Sequence, residues 1–477
     1  MTRPSAVKPS GGTPTAFDRL YSSGISRSEV KAKPARVSTP RAVAPSPVRP
    51  RLAAGQGFAL GGCVLTPDSM MKHGWVVVGV DGKIAAVSSA PPQGVQRLET
   101  EGVILPGLID LHGHPEFNVF AAWEPPKLFI NRQQWRGSDI YRAIVRDPWN
   151  RLQKAKLKDT MTRYAEIRAL VGGTTAIQGA SPRYPTEEAL VRNVDKQIFG
   201  RHHARSMIDL PSKLNDDLRN ILAGITSGDV TAFYVHVAEG RHDNLASQRE
   251  FGRLTNLGAL TSSTVIIHGT ALTDAQLGDV KDASAKLVWS PQSNLRLYAE
   301  TTNVKRVVDL KIPMALGADW LPSGSRSLLD ELRVARRQLA LAGAPLTAKQ
   351  LVQMVTKEAA EIAGLGDELG VLKAGRVADV LVLERRHDDP WENVLEADPS
   401  CVELVLINGD LSYGRAELVK SLVEPVGFSE LEAVPAWGKP MVLDTAYAVN
   451  PRGARLRLRN LRASMIEKYP QVGPIFG

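Results

Sequence analysis

Cysteine is scarce in this 477-residue chain: Cys63 and Cys401 stand near opposite ends, too few and too far apart to suggest a disulfide framework. No run of about twenty apolar residues occurs, which excludes a membrane-spanning helix. No apolar stretch follows the first basic residues, so a secretory signal is not expected. Acidic balance is missing as well, since the net charge is +9. That excess is local. Residues 1–55 hold ten Lys or Arg against Asp18 and Glu29, which leaves the remainder nearly neutral, so the basic character does not argue for a nucleic-acid partner. The same stretch has eight prolines and no sustained hydrophobic pattern, and it cannot bury enough apolar surface to offset its ordering entropy. We read it as a disordered basic tail, with an Arg- and Ser-rich leader as the alternative. A cytoplasmic protein is the simplest expectation.

What is present is patterned. From Gly57 to Leu105 short apolar runs alternate with turns ("FALGGCVLTPDS", "WVVVGVDGKIAAVS"), and Asp81-Gly82 between two such runs signals a hairpin. Matching pieces return at "GVLKAGRVADVLVLE" and "VELVLING". Two β-rich blocks bracketing a long middle suggest one small β-sandwich formed by both chain ends. In the middle, strand-like runs ("GVILPGLIDLHGH", "TAFYVHVAEG", "STVIIHGTAL", "PMALGADW") alternate with stretches of helix length such as "SRSLLDELRVARRQLALAG". That rhythm predicts parallel strands with crossover helices, and the size suits an eight-fold α/β barrel. The expected division is a tail (1–55), the N-terminal half of the sandwich (56–105), a barrel (106–369), the C-terminal half of the sandwich (370–415) and a C-terminal extension (416–477).

Four of the nine histidines end apolar strands of the middle region. "LIDLHGH" ends in His112 and His114, "FYVHVAE" carries His236 with Glu239 three residues on, "VIIHGTAL" carries His268, and "MALGADW" carries Asp319. Residues i and i+2 of a strand share a face, so His112 and His114 can project together toward the barrel mouth. Gly113 between them is compatible with close helix packing. A third imidazole and a carboxylate from neighbouring strands complete an N/O site for a divalent metal. Water bound to such an ion has its pKa lowered to about 7, and neighbouring carboxylates can move its protons. Singly, each residue has a plainer reading: core histidines, a loop carboxylate at Glu239, or a helix cap at Asp319 or Ser323.

Together, "PGLIDLHGHP", "HVAEG", "IIHGTAL", "SPQSN", "LGADWLPSGS" and "GVLKAGRVADVLVL" resemble the metal-dependent amidohydrolase superfamily, in its cytosine-deaminase-like and chlorohydrolase-like branch. The resemblance implies a distorted (β/α)8 TIM barrel plus a small β-sandwich. It implies that His112, His114, His236 and Asp319 hold one divalent ion, Zn2+ foremost, with Fe2+ or Mn2+ as alternatives. By the same resemblance His268 touches the attacking water or the tetrahedral intermediate, Asp319 doubles as general base, and Glu239 protonates a ring nitrogen and helps expel ammonia. The expected activity is hydrolysis of a non-peptide C–N bond, as deamination of an aminated heterocycle. Ring opening of a cyclic amide or imidazolone is the alternative, and an inactive scaffold barrel is the reading from another class. The expected partner is a small molecule, with no nucleic acid and no membrane, and a homo-oligomer is compatible with this.

Departures from the family pattern narrow the expectation. The fourth strand reads "RSMIDLPSKL", without the histidine that adenosine-type deaminases keep there, which argues against a thioadenosine or homocysteinyl-adenosine substrate. Lys213 is the nearby candidate for a lysine bridging two metals, and it lies beyond the apolar run, so one metal is favoured. Trp123, Trp320 and the loop "WEPPKLFINRQQWRG" suggest an aromatic-lined substrate pocket, the alternative being packing of the loop itself.

Overall fold

Why the two ends of the chain behave alike is visible in their strands. In the computed structural model, which describes residues 57–179, 189–195, 198–199, 203–445 and 457–476, β1 (Phe58–Leu65), β2 (Met70–Val78), β3 (Ile84–Ser88) and β4 (Gln96–Pro106) open the chain. The tail read as disordered lies outside the described residues. The Asp81-Gly82 pair turns β2 into β3, with Gly82 at φ +77°, a left-handed conformation that suits glycine.

The middle supplies eight further strands: β5 (Leu108–Asp110), β6 (Thr174–Ile177), β7 (Arg192–Asn193), β8 (Ala204–Met207), β9 (Ala232–Val237), β10 (Thr264–His268), β11 (Lys286–Trp289) and β12 (Met314–Leu316). All pair in parallel, in the orders β5-β6-β7 and β12-β11-β10-β9-β8. β9 and β10 are buried at every position, as their continuous apolar runs require of strands covered on both faces. Alternation along them sorts side chains into two cores. Ala232, Tyr234, Val265, Ile267, Val288 and Ala315 join one cluster with Ile109 and Ala176, while Phe233, Val235 and Ile266 face a larger one with the crossover helices. Each fully buried Val, Ile or Phe side chain among them contributes roughly 1.5–3 kcal/mol. A parallel bridge from Gly113 to Asp319 links the segment after β5 to the segment after β12.

The remaining strands are β13 (Val380–Leu383), β14 (Val402–Ile407), β15 (Asp410–Arg415), β16 (Glu432–Ala436) and β17 (Lys439–Leu443). They join the first four in a nine-stranded sheet ordered β16-β17-β15-β14-β13-β4-β1-β2-β3. The β4–β13 pairing, Val103 to Leu383 through Pro106 to Val380, joins the chain's two ends. The extension after residue 415 lengthens this sheet. Its helix Leu458–Ile466 packs on helix Lys158–Val171, and Tyr469 meets Phe120 edge-on at 5.2 Å, so the extension braces the loop that follows β5. Arg192 of β7 holds Asp379 through two 2.9 Å hydrogen bonds, tying the parallel strands to the large sheet. No helix among the described residues is long and apolar enough to cross a membrane.

Candidate metal centre

β5 ends at Asp110, so His112 and His114 follow the strand instead of ending it. Continued alternation would have aimed them with Leu108 at the helix-facing core. The chain bends instead, and Asp110 sets the bend: its Oδ1 accepts the amides of His112 (3.1 Å) and Ala318 (3.2 Å). The Asp319 amide then donates to the His112 carbonyl at 2.7 Å. Gly113 packs against the end of β6, where its amide donates to the Gln178 carbonyl at 3.0 Å; its close neighbour is a strand, not the expected helix. Gly317 makes the approach of β12 possible, because a Cβ there would stand 2.3 Å from the His112 Cβ.

The structure brings the six residues singled out at strand ends to one place. His112 Nε2 lies 3.1 Å from the Nε2 atoms of His114 and His236, and 3.5 Å from Asp319 Oδ1. His114 Nε2 is 3.6 Å from the same oxygen. His268 Nε2 is 3.7 Å from Glu239 Oε2. Each of the sets His112–His114–His236, His112–His268–Asp319 and His236–Glu239–His268 can offer its ligand atoms within 4.8 Å. His268 and Asp319 adopt positive φ, 67° and 57°, backbone that side-chain-bearing residues rarely take and that gathers at functional sites. Neither Asp319 nor Ser323 caps the following helix Leu328–Leu341; Ser327 does.

The donor set fits a divalent cation. Burial holds all four imidazoles below their ordinary pKa, His114 at about 4, so each is neutral and keeps one lone pair. Ser290 Oγ lies 2.9 Å from His112 Nδ1 and Asn294 Oδ1 lies 2.9 Å from His268 Nδ1. Because Oδ1 is an acceptor, His268 donates from Nδ1 and presents a bare Nε2 to the pocket. His236 Nδ1 is buried with no hydrogen-bond partner. Burial pushes the Asp319 carboxyl well above its ordinary pKa, opposed only in part by Ser293 and the Trp320 amide. Convergent imidazole lone pairs beside a buried carboxylate are favourable with a cation between them and costly without one.

Four residues that sequence reasoning did not single out complete the surroundings of Glu239. Tyr298 donates to Oε1 at 2.7 Å, and Trp135 Nε1 donates to the Tyr298 oxygen at 2.8 Å. Arg132 donates to Oε2 at 3.4 Å and to Asp209 at 2.9 Å, and stands 3.6 Å from Glu250. Arg136 donates to Asp209 at 3.0 Å. Burial would raise the Glu239 carboxyl, but the Arg132 charge and the Tyr298 hydrogen bond offset it and hold the pKa below its ordinary value. Arg132, Trp135 and Arg136 lie in the loop "WEPPKLFINRQQWRG", and Asn294 and Ser290 in "SPQSN"; the loops were visible, the roles of these positions were not.

A pocket of about 540 Å³, partly open to solvent, is lined by His114, His236, Glu239, His268 and Asp319 and by the rings of Phe117, Trp135, Tyr141 and Trp320. Trp320 therefore meets the pocket directly. Trp123 is buried behind it, 6.2 Å away edge-on and stacked near Phe129, and does not line the pocket. Lys213 is exposed and belongs to none of the candidate ligand sets.

The amidohydrolase family pattern matches residues 215–411. The chain is 22% identical over 395 residues to the 5'-deoxyadenosine deaminase of Methanosarcina mazei, covering 73% of this chain and 90% of the relative. It is 23% identical over 358 residues to the guanine deaminase of Mus musculus, covering 64% and 78%. Among solved structures, an adenosine deaminase from Xanthomonas campestris with bound zinc superposes with a TM-score of 0.60 at 17% identity, covering 87% of this chain and 98% of that one.

Proposed function

We propose that this chain, whose residues 215–411 match the amidohydrolase family pattern, is an amidohydrolase-type hydrolase of non-peptide C–N bonds that deaminates an aminated heterocycle at the pocket just described. The observation that carries the reading is the convergence of His112, His114, His236 and Asp319 beside Glu239 and His268, at a pocket that aromatic rings also line. The relatives named as deaminases of 5'-deoxyadenosine and guanine support it.

His112, His114, His236 and Asp319 would hold one divalent ion, Zn2+ foremost. Such an ion lowers the pKa of a water it binds to about 7 and so supplies a nucleophile at neutral pH. The chain's own residues do the rest. Trp320, with Trp123 packed behind it, offers a flat face to the ring. His268, its Nδ1 hydrogen spent on Asn294, aims Nε2 as an acceptor toward the attacking water. Glu239 takes one water proton and delivers it to the ring nitrogen next to the attacked carbon. Asp319 takes the second proton, as general base, and hands it to the amine. The C–N bond breaks, a C=O bond forms, and the amine leaves as ammonia.

The same reading takes β5 through β12 as a closed (β/α)8 barrel. The Gly113–Asp319 bridge supports one seam, and the contacts of Gln178 and Ser206 with Asp195 support the other, between β7 and β8. Residues 106–369 form the barrel. On this reading residues 56–105 and 370–415 form the sandwich, whose sheet β16 and β17 of the extension lengthen.

The test is ammonia release by zinc-loaded protein from guanine, cytosine, 5'-deoxyadenosine and 5-methylthioadenosine, with Glu239→Gln as control. Release from one of the rings, at least ~100-fold slower in the variant, supports deamination. Consumption of a cyclic amide or imidazolone with no ammonia from any ring overturns it in favour of ring opening.

A further inference from the structure

Glu239 has two carboxylate oxygens, and the structure treats them differently. Oε1 accepts the Tyr298 hydroxyl at 2.7 Å. That hydroxyl has a single hydrogen, and its oxygen in turn accepts the Trp135 indole N–H at 2.8 Å. An indole N–H can only donate, so the order is fixed: Trp135 to Tyr298 to Oε1. Tyr298 is fully buried, and burial with the adjacent carboxylate raises its phenol well above its ordinary pKa, which keeps it a donor. Oε2 faces the pocket, 3.7 Å from His268 Nε2, with Arg132 at 3.4 Å.

Both outer partners come from one short helix. Arg132 and Trp135 lie on Arg132–Arg136, begun by Asn131, whose side chain accepts the Gln134 amide. That helix is docked on the chain that carries Glu239: the Arg132 amide donates to the Glu239 carbonyl at 3.3 Å, Asn131 bridges Gly240, and the Arg241 amide donates to the Ile130 carbonyl at 2.9 Å. Trp135 also lines the pocket, 5.3 Å from Trp320. The loop therefore touches the space for the ring and the carboxylate that serves it.

We propose that Tyr298, oriented by Trp135, and Arg132 are positioning residues that reserve Glu239 Oε2 as the one oxygen that carries the proton between water and the ring nitrogen. This rests on the deaminase reading for its chemistry, though not for its geometry. In the step, a water O–H bond breaks as Oε2–H forms; then Oε2–H breaks as the ring N–H forms, and Oε1 remains a hydrogen-bond acceptor throughout. A carboxylate free to turn would present the proton on either oxygen and lose the alignment that proton transfer requires.

Two measurements test it, one without substrate. Crystal structures of the zinc-loaded wild type and Tyr298→Phe should show the Glu239 carboxylate turned or in two orientations in the variant, with His112, His114, His236 and Asp319 unmoved. A Glu239 pose identical to wild type would overturn the proposal. With guanine as probe, Tyr298→Phe should lower kcat about 10- to 100-fold with little change in KM and in zinc content, and Trp135→Phe should lower it less. In the Glu239→Gln background, Tyr298→Phe should have no further effect, because it acts through the carboxylate. Additive losses would mean that Tyr298 acts elsewhere and would overturn the proposal. If guanine yields no ammonia with wild type, the deaminase reading loses support while the crystallographic comparison still decides the positioning of Glu239.

Discussion

Gly317→Ala is the smallest change that should dismantle the metal centre without touching a ligand. A Cβ on Gly317 would stand 2.3 Å from the His112 Cβ, 2.7 Å from its backbone nitrogen and 2.9 Å from its Cα. All three are backbone or near-backbone atoms, so no side chain can swing aside. The segment after β12 must retreat, and the 2.7 Å bond from the Asp319 amide to the His112 carbonyl lengthens or breaks. Overpacking of this kind costs about 1–3 kcal/mol, and the lost hydrogen bond adds about 1 kcal/mol. The expected destabilisation is therefore about 2–4 kcal/mol, with His112 and Asp319 moved apart. Gly278 is the control: it lies inside helix Asp274–Asp282, where an added Cβ would meet nothing within 4 Å, and alanine there should stabilise by roughly 0.5–1 kcal/mol. Thermal unfolding and zinc content, read side by side, form the assay. A Gly317→Ala protein with wild-type melting temperature and full zinc would refute the close approach on which the site's assembly rests.

Ser290→Ala removes the hydroxyl beside His112 Nδ1 and should weaken zinc binding about 10- to 100-fold, measured by competition with a chelator; unaltered affinity would count against that role. Arg192→Ala strands the buried Asp379 carboxylate with the Asn408 amide at 2.8 Å as its remaining close partner and should cost about 3 kcal/mol in denaturant unfolding, a loss that an unchanged midpoint would contradict. Burial raises the Glu331 carboxyl to about 8, so the native protein keeps a proton that the unfolded chain releases near the ordinary value of 4.5. That contribution is fully present below the unfolded pKa and is lost as pH rises toward about 8. Glu331→Gln should flatten this fall in stability across that window, and an unaltered slope would refute the assignment.

Some of this was legible in the sequence for physical reasons. Parallel strands buried on both faces write unbroken apolar runs, so β9 and β10 were readable, and the chemistry-bearing residues stand where those runs stop. The Asp81-Gly82 turn was readable because few residue pairs accept its backbone. Three things were not. The bend after Asp110 depends on one carboxylate oxygen gathering amides from residues 112 and 318, a contact between distant stretches of chain that no local pattern encodes. Arg132, Trp135 and Tyr298 belong to a loop and a helix whose composition suits plain packing as well as catalysis, and their convergence on Glu239 exists only in three dimensions. The extension after residue 415 carries weak strands such as "EAVPA", interrupted by Pro435, and their place at the edge of the large sheet is set by pairing with β15.

The account turns on whether His112, His114, His236 and Asp319 hold a metal. Elemental analysis of the purified protein and of His112→Ala, each after incubation with zinc and removal of excess ion, tests this most directly. About one zinc per chain in the wild type and little in the variant is the predicted result. A wild-type protein that retains no divalent ion would contradict it, and with it the hydrolytic mechanism built on that site.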